Sequence, residues 1–262
     1  MLKIRIIPTI LKKSAVVVKG KKFSKSRVVG PLLPILRVYQ SRDIDELVII
    51  DVSPINKINS SKRYDWLSQV TSFTTMPLSV GGGIQTVEQA SKIIELGADK
   101  VILNNAIINK KSLIKDIANK HGSQSIISSI DAVKVGNSFV AYDSWNNKIT
   151  GVDVIDLIKT SEEYGSGEIL ITSFDKEGCQ MGFDEDLVDY FGSHVNLPLI
   201  INGGAGNKED FLSIINYANS KKINVQGLAA GACFHFTSLT PFEVSGYLYG
   251  ANIPVRHNKK YI

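Results

Sequence analysis

Three segments of this chain return in the same order about 120 residues later. IRIIPTIL (4–11) returns as QSIISSID (124–131), ELVIIDVS (46–53) as EILITSFD (168–175), and PLSVGGGI (77–84) as PLIINGGAG (198–206). Two like halves of alternating strand and helix, about 1–122 and 123–262, describe a doubled half-barrel. In that register Asp131 ends the first strand of the second half, and its counterpart one repeat earlier is Leu11. A site fed equally by both halves holds two carboxylates. This one holds one.

A chain of 262 residues is close to the ~250 typical of an eightfold barrel and buries roughly three quarters of its unfolded surface. One domain, 1–262, is expected. No apolar run reaches the ~18 residues of a membrane span, and the start MLKIRIIPTIL lacks a signal-peptide cleavage pattern, so the cytoplasm is expected and a membrane partner is not. Cys179 and Cys233 have no metal-ligand spacing and read as reduced thiols; no metal or cofactor is expected. The net charge is +5, and Lys12, Lys13, Lys19, Lys21, Lys22, Lys25 and Arg27 crowd the segment after the first strand. That segment reads either as a solvated loop or as a mobile cover attracting an anionic substrate. Too few aromatic residues interleave with these lysines to make a stacking surface for nucleic acid.

Eight short apolar runs read as strands, near 4–10, 46–51, 78–80, 100–103, 125–130, 168–172, 199–202 and 225–229. Most are nearly continuous, as in a parallel sheet buried on both faces. Helices fit between them. In the clearest, Thr86 and Gln89 form a capping box, Val87, Ala90, Ile93 and Ile94 have helical spacing, and Gly97 is the stop. Residues 153–164 and 208–218 share this periodicity. AVKVGNSFVAYDS breaks the pattern, and its alternation around Gly136-Asn137 suggests a hairpin inserted after the fifth strand. The fold expected is a (β/α)8 barrel.

In such a barrel the βα loops gather at the C-terminal rim, where barrel enzymes keep their chemistry. The rim then carries Leu11, Lys19, Asp51, Gly81 to Gly83, Asn104, Asn105, Asp131, Thr172 to Gly178, Asn202 to Gly206, Gly231 and Ala232. Adjacent glycines let backbone N–H groups approach an anion, and a following helix N-terminus adds favourable partial charge. VGGGIQT and NGGAGNKED are such loops, one in each half. A substrate with a phosphate at each end is the natural inference, although tight turns alone would also use these glycines.

The stretches RIIP, VVKG (17–20), DELVIIDV, VGGGI, LGADKVILN, GSQ, IDA, GEILITSFDKEG, INGGAG and CFHF resemble the cyclase subunit of imidazole glycerol phosphate synthase, the HisF type, along nearly the whole chain. That resemblance implies a half-barrel-symmetric barrel whose substrate carries two phosphates. It also implies a HisH-type glutaminase on the N-terminal face, sending ammonia along the barrel axis. It places one phosphate at Gly82, Gly83, Asn104 and Asn105, and the other at Glu177, Gly178, Gly203, Gly204, Gly231 and Ala232, with Lys19 and Asp51 facing substrate. Glu177 stands where the family usually has aspartate.

The family's cyclase chemistry uses two aspartates. One is matched by Asp131 and the other falls at Leu11, which neither gives nor takes a proton. Losing a positioned acid or base typically costs about 10² to 10⁴ in rate. Asn202, where the family often has serine, and Pro31, where the basic loop usually continues with aspartate, depart further. In contrast, Arg5, Glu46, Lys100 and Glu168 match all four members of the charged ring that gates ammonia at the barrel floor. An ion-pair layer that merely stabilised the floor would look the same in sequence. Asp99 matches a residue facing the glutaminase.

An intact gate with a missing carboxylate resembles a branch encoded with surface-polysaccharide genes, which implies ammonia supply to a sugar amidotransferase. Two alternatives stand beside it. One is a true cyclase of histidine biosynthesis in which Asp51 or Lys19 covers for Leu11. The other is a non-catalytic activator of a glutaminase. Of the remaining polar residues, His121, His194 and His257 read as surface groups, His235 as structural, and Cys179 as lacking a histidine to make it a nucleophile.

Overall fold

The computed structural model describes residues 3–24, 26–42, 44–54 and 63–257. Lys25 of the basic segment lies outside them. In chain order the strands are β1 (Arg5–Lys13), β2 (Val16–Lys19), β3 (Arg27–Pro31), β4 (Leu47–Asp51), β5 (Leu78–Gly81), β6 (Lys100–Leu103), β7 (Ile126–Val135), β8 (Ser138–Asp143), β9 (Lys148–Asp153), β10 (Glu168–Ser173), β11 (Leu199–Asn202) and β12 (Val225–Ala230). Parallel pairing runs β10-β11-β12-β1-β4-β5-β6-β7, and β7 pairs with β10 to close the ring. The result is an eight-stranded parallel barrel with helices between its strands, a (β/α)8 fold.

The helices are α1 (Leu32–Gln40), α2 (Trp66–Thr71), α3 (Val87–Glu95), α4 (Asn105–Asn109), α5 (Ser112–His121), α6 (Val154–Glu163), α7 (Glu185–Phe191), α8 (Lys208–Ser220), α9 (Ala232–Phe236) and α10 (Pro241–Gly250). The capping box at Thr86 is present: Thr86 Oγ1 accepts from Gln89 N at 3.3 Å, and Gln89 Oε1 accepts from Thr86 N at 3.3 Å. Asp153 caps α6 through Ile155 N. The doubling extends to local detail. After β6 a five-residue helix precedes a ten-residue one, and the same pair follows β12. None of these helices is long and apolar enough to cross a membrane.

The hairpin departs from the sequence expectation in an instructive way. β7 does not stop at residue 130 but continues into β8 and β9, and β1 likewise runs past residue 10 into β2 and β3. The feature that looked like an insertion in the second half is therefore matched in the first. Its first-half copy was hidden because lysines occupy KKSAVVVK, where Leu11 pairs with Val18 and Lys13 with Val16 across a turn at Ser14. Most of the apolar core lies between barrel and helices. A second cluster, Ile7, Val48, Ile102, Ile127, Leu170, Ile200 and Ala229, draws one side chain from each of seven barrel strands and fills the interior. Alternation along each strand puts residues two positions away on the same inner face. The interior is therefore stacked: Arg5, Ile7, Thr9 and Leu11 climb β1, and Glu168, Leu170 and Thr172 climb β10. Truncating Ile200, fully buried in that layer, to alanine is expected to cost roughly 2–5 kcal/mol in chemical denaturation. A loss below about 1 kcal/mol would show a layer able to collapse.

Candidate active site at the barrel mouth

At the floor, four charges from four strand starts close a ring. Arg5 Nη1 lies 2.6 Å from Glu46 Oε2, and Arg5 Nη2 lies 3.1 Å from Glu168 Oε2. Lys100 Nζ lies 2.9 Å from Glu168 Oε1 and 3.4 Å from Glu46 Oε2. Every member has a neighbour of opposite sign on both sides. Burial works against the Arg5 charge, yet Glu46 and Glu168 raise its pKa above the usual value. Ser79 Oγ adds a hydrogen bond to Glu46 at 2.5 Å. Asp99, exposed at the same end, accepts from Leu78 N at 2.8 Å.

At the opposite end the mouth collects the expected rim residues. Asp131 is buried and accepts from Asn104 Nδ2 at 3.1 Å, while the same nitrogen donates to Ser129 O at 3.0 Å. Burial, reinforced by the negative charge of Glu177, pushes the Asp131 carboxyl up to about 7, against hydrogen bonds from Ser144 and Asn104. Such a group is a proton donor and acceptor near neutral pH. Leu11 occupies the corresponding place on β1, pairing with Ile50 on β4, as Asp131 pairs with Thr172 on β10.

The two residues nominated to cover for Leu11 are both engaged. Lys12 Nζ lies 3.0 Å from Asp51 Oδ2 with both side chains buried, and it sits 4.8 Å over the Trp66 ring. Burial pulls the Lys12 pKa down despite Asp51. Arg63, 4% exposed, braces the same corner: its Nη2 donates to Ser53 O at 2.9 Å and Asp51 O at 3.2 Å, and its Nε to Gly82 O at 3.3 Å. Lys19, 2% exposed, forms an ion pair with Glu177. The basic segment is thus neither wholly solvated nor free. Lys22 N donates to Glu177 O at 2.8 Å, Lys22 Nζ approaches Asp175 at 3.8 Å, and Phe23 stacks on Phe174 with centroids 5.4 Å apart. Tyr142 from β8 packs on Phe174 at 4.5 Å, so three aromatic rings from three separate segments meet beside the mouth.

Both glycine loops take the left-handed backbone that glycine permits, with φ of 108° at Gly82 and 96° at Gly203. Gly83 and Gly204 follow them. The partner loops also correspond: Asn104 precedes α4 and Gly231 precedes α9 with similar backbone angles, φ −120° and −126°. Asn105 Nδ2 donates to Asp143 Oδ1 at 3.1 Å. Burial alone would raise the Asp143 carboxyl, but donors from Asn146, Trp145 and Asn105 hold it below the usual range. Gly178 packs against Gly20 of the first hairpin, and Ala232 opens α9. Sequence reasoning missed Arg63, Phe23 and Tyr142 as members of this region, and named Lys12 only within the basic segment and Phe174 only within the rim span Thr172 to Gly178. Arg63 follows a polar stretch without periodicity, and the aromatics come from three segments far apart in sequence.

The remaining expectations divide. His235 links Thr9 O at 3.3 Å to Tyr39 Oη at 3.4 Å, and burial pushes it down to about 4, which suits a structural group. His194 is exposed. His121 and His257 are half-buried, bonded to Ser91 at 2.7 Å and Ser245 at 3.2 Å, so they are not free surface groups. Among the described residues, Cys179 Sγ bonds only to the backbone carbonyls of Asp175 at 3.6 Å and Glu177 at 3.7 Å. Because Asp131 keeps its proton in the fold up to about pH 7 but loses it near 4 when unfolded, the folded state binds more protons between those values. Its contribution is fully present below about pH 4 and is lost as pH rises through about 7. Comparing stability against pH for the wild type and Asp131→Asn should show this decline only in the wild type. An identical pH profile would place the carboxyl at an ordinary pKa.

The family model for "Histidine biosynthesis protein" matches residues 5–240. Imidazole glycerol phosphate synthase subunit HisF of Pyrococcus furiosus is 38% identical over 259 residues, 98% of this chain and 99% of that protein. The HisF subunit of Dictyoglomus turgidum is 37% identical over 257 residues with the same coverage. A Campylobacter jejuni protein provisionally named imidazole glycerol phosphate synthase subunit hisF2 is 35% identical over 256 residues, again 98% and 99%. With its closed barrel, doubled rim loops and full-length relatives, the chain belongs to the histidine biosynthesis protein family as a HisF-type subunit of imidazole glycerol phosphate synthase.

Proposed function

We propose that this HisF-type subunit takes ammonia from a HisH-type glutaminase at the barrel floor and delivers it along the axis to the mouth. Phosphate groups of a small-molecule ligand would lie on the two glycine loops there. Its imidazole-forming chemistry is impaired by Leu11, and the ammonia serves amidation of a surface-polysaccharide sugar by a separate amidotransferase. The observation that carries this reading is the contrast between the two ends. The floor ring is complete, with four ion pairs linking Arg5, Glu46, Lys100 and Glu168. The mouth sets one carboxylate, Asp131, against an aliphatic counterpart. Above the floor, the apolar cluster from Ile7 to Ala229 favours neutral ammonia over ammonium, because an unpaired charge in that layer would be severely penalised.

The engagement of Asp51 by Lys12 and of Glu177 by Lys19 argues against either carboxylate standing in for the missing one. A second reading has its own support: the relatives at 37–38% identity bear the plain HisF name, which favours a working cyclase of histidine biosynthesis. Steady-state turnover of the family's phosphoribosyl substrate with ammonium salts separates the two. Wild type is expected to run about 10² to 10⁴ more slowly than Leu11→Asp, the loss typical of an absent acid or base. Near-normal wild-type turnover would leave the cyclase reading standing.

A further inference from the structure

Two side-chain oxygens inside the barrel, Thr9 Oγ1 and Asn202 Oδ1, are buried and without a hydrogen-bond partner. Both belong to the inner face just above the apolar layer: Thr9 is two residues beyond Ile7 on β1, and Asn202 two beyond Ile200 on β11. Thr9 is 5% exposed and Asn202 8%. Buried acceptors are rarely left unmet in a native interior, and a pair of them facing one space is suited to receive a small donor. Only β12 stands between the two strands, its register setting Asn202 against Ala229 and Ala229 against Ile7. Its inner positions here are Ala229 and Gly231, so no large side chain separates the two oxygens. A methyl built on Gly231 would meet Thr9 Oγ1 at 2.9 Å and Lys19 Nζ at 3.1 Å, so the lysine also closes around this corner.

We infer that Thr9 and Asn202 form a receiving site for neutral ammonia. This rests on the axial-delivery reading above and specifies where delivery ends. Ammonia has three N–H donors and one lone pair. Two donors suit the unmet oxygens of Thr9 and Asn202, and the lone pair suits an N–H of Lys19. Ammonium has no lone pair and would be repelled by the Lys19 cation. With Leu11 rather than a carboxylate nearby on β1, nothing at that position stabilises the protonated form. The carboxylates around the mouth are already engaged: Asp131 is hydrogen-bonded to Asn104, Glu177 is paired with Lys19, Asp51 with Lys12, and Asp143 accepts from Asn105.

The test uses the full chain, 15N-labelled, at a fixed pH of about 8.5, where part of the total ammonia is neutral. Ammonium chloride and potassium chloride are titrated separately at matched ionic strength, because potassium imitates the ammonium cation in size and charge but not the neutral molecule. A saturable shift of the Asn202 side-chain amide signal is expected with ammonium chloride and not with potassium chloride. In Thr9→Val the same signal should need at least about fivefold more total ammonia for half-saturation. Asn202→Leu, read at the Thr9 backbone amide, gives the reciprocal measurement. Equal response to both salts, no saturable shift, or unchanged half-saturation in a folded variant overturns the site. Failure of axial delivery is distinguishable: the Asn202 signal would still respond to ammonia, while glutamine nitrogen would not reach the mouth in the assembled complex.

Discussion

The pairing of four charges at the narrow end of the barrel is the constraint around which the rest is arranged. A guanidinium, an ammonium and two carboxylates drawn out of water are tolerable only when each finds opposite charge on both sides. The alternation Arg5, Glu46, Lys100, Glu168 achieves this with four contacts between 2.6 and 3.4 Å. Because the four residues stand at the starts of four different strands, with Glu46 one residue before β4, the ring ties those strand ends together. Above it the interior is aliphatic. A polar molecule entering from the floor therefore has to part the ion pairs and then cross a layer that discriminates against charge.

The mouth presents a different balance. Its lysines are consumed internally, Lys12 by Asp51 and Lys19 by Glu177. The hairpin that carries Lys19 folds across to the loop after β10 and places Phe23 on Phe174. Asp131 is left as the titratable carboxyl poised near neutrality, its charge disfavoured by burial and by Glu177. One proton-transfer group can assist a single step on an acceptor that arrives already activated. Closing a ring by the family's two-carboxylate route needs a second, and the strand that should provide it offers Leu11. This contrast between the two ends is what supports the proposed reading, in which the subunit moves nitrogen rather than building a heterocycle with it.

Much of this was legible in the chain. The repeat placed Leu11 opposite Asp131, Glu46 opposite Glu168, and the two glycine loops in correspondence, because strand register in a closed barrel follows the apolar pattern closely. The first hairpin was not legible, since KKSAVVVKG alternates weakly and its lysines suggested solvent. In the fold Lys12 and Lys19 are buried because each finds a carboxylate from another strand or loop, a fact no local window contains. Arg63 was invisible for a related reason. Its partners are three backbone carbonyls, those of Asp51, Ser53 and Gly82, and carbonyls have no sequence signature. The unmet oxygens of Thr9 and Asn202 emerge only when β12 is seen between their strands.

The most direct measurement follows the label from amide-15N glutamine into the aminated product of the assembled subunits, in a bath of excess unlabelled ammonium. If nitrogen travels through the floor ring and along the aliphatic axis, product from the wild-type complex retains 15N, and product from Arg5→Ala or Lys100→Ala complexes takes its nitrogen largely from the bath. Wild-type product diluted to the isotopic composition of the bath, or labelling indifferent to those substitutions, would contradict transport through the barrel.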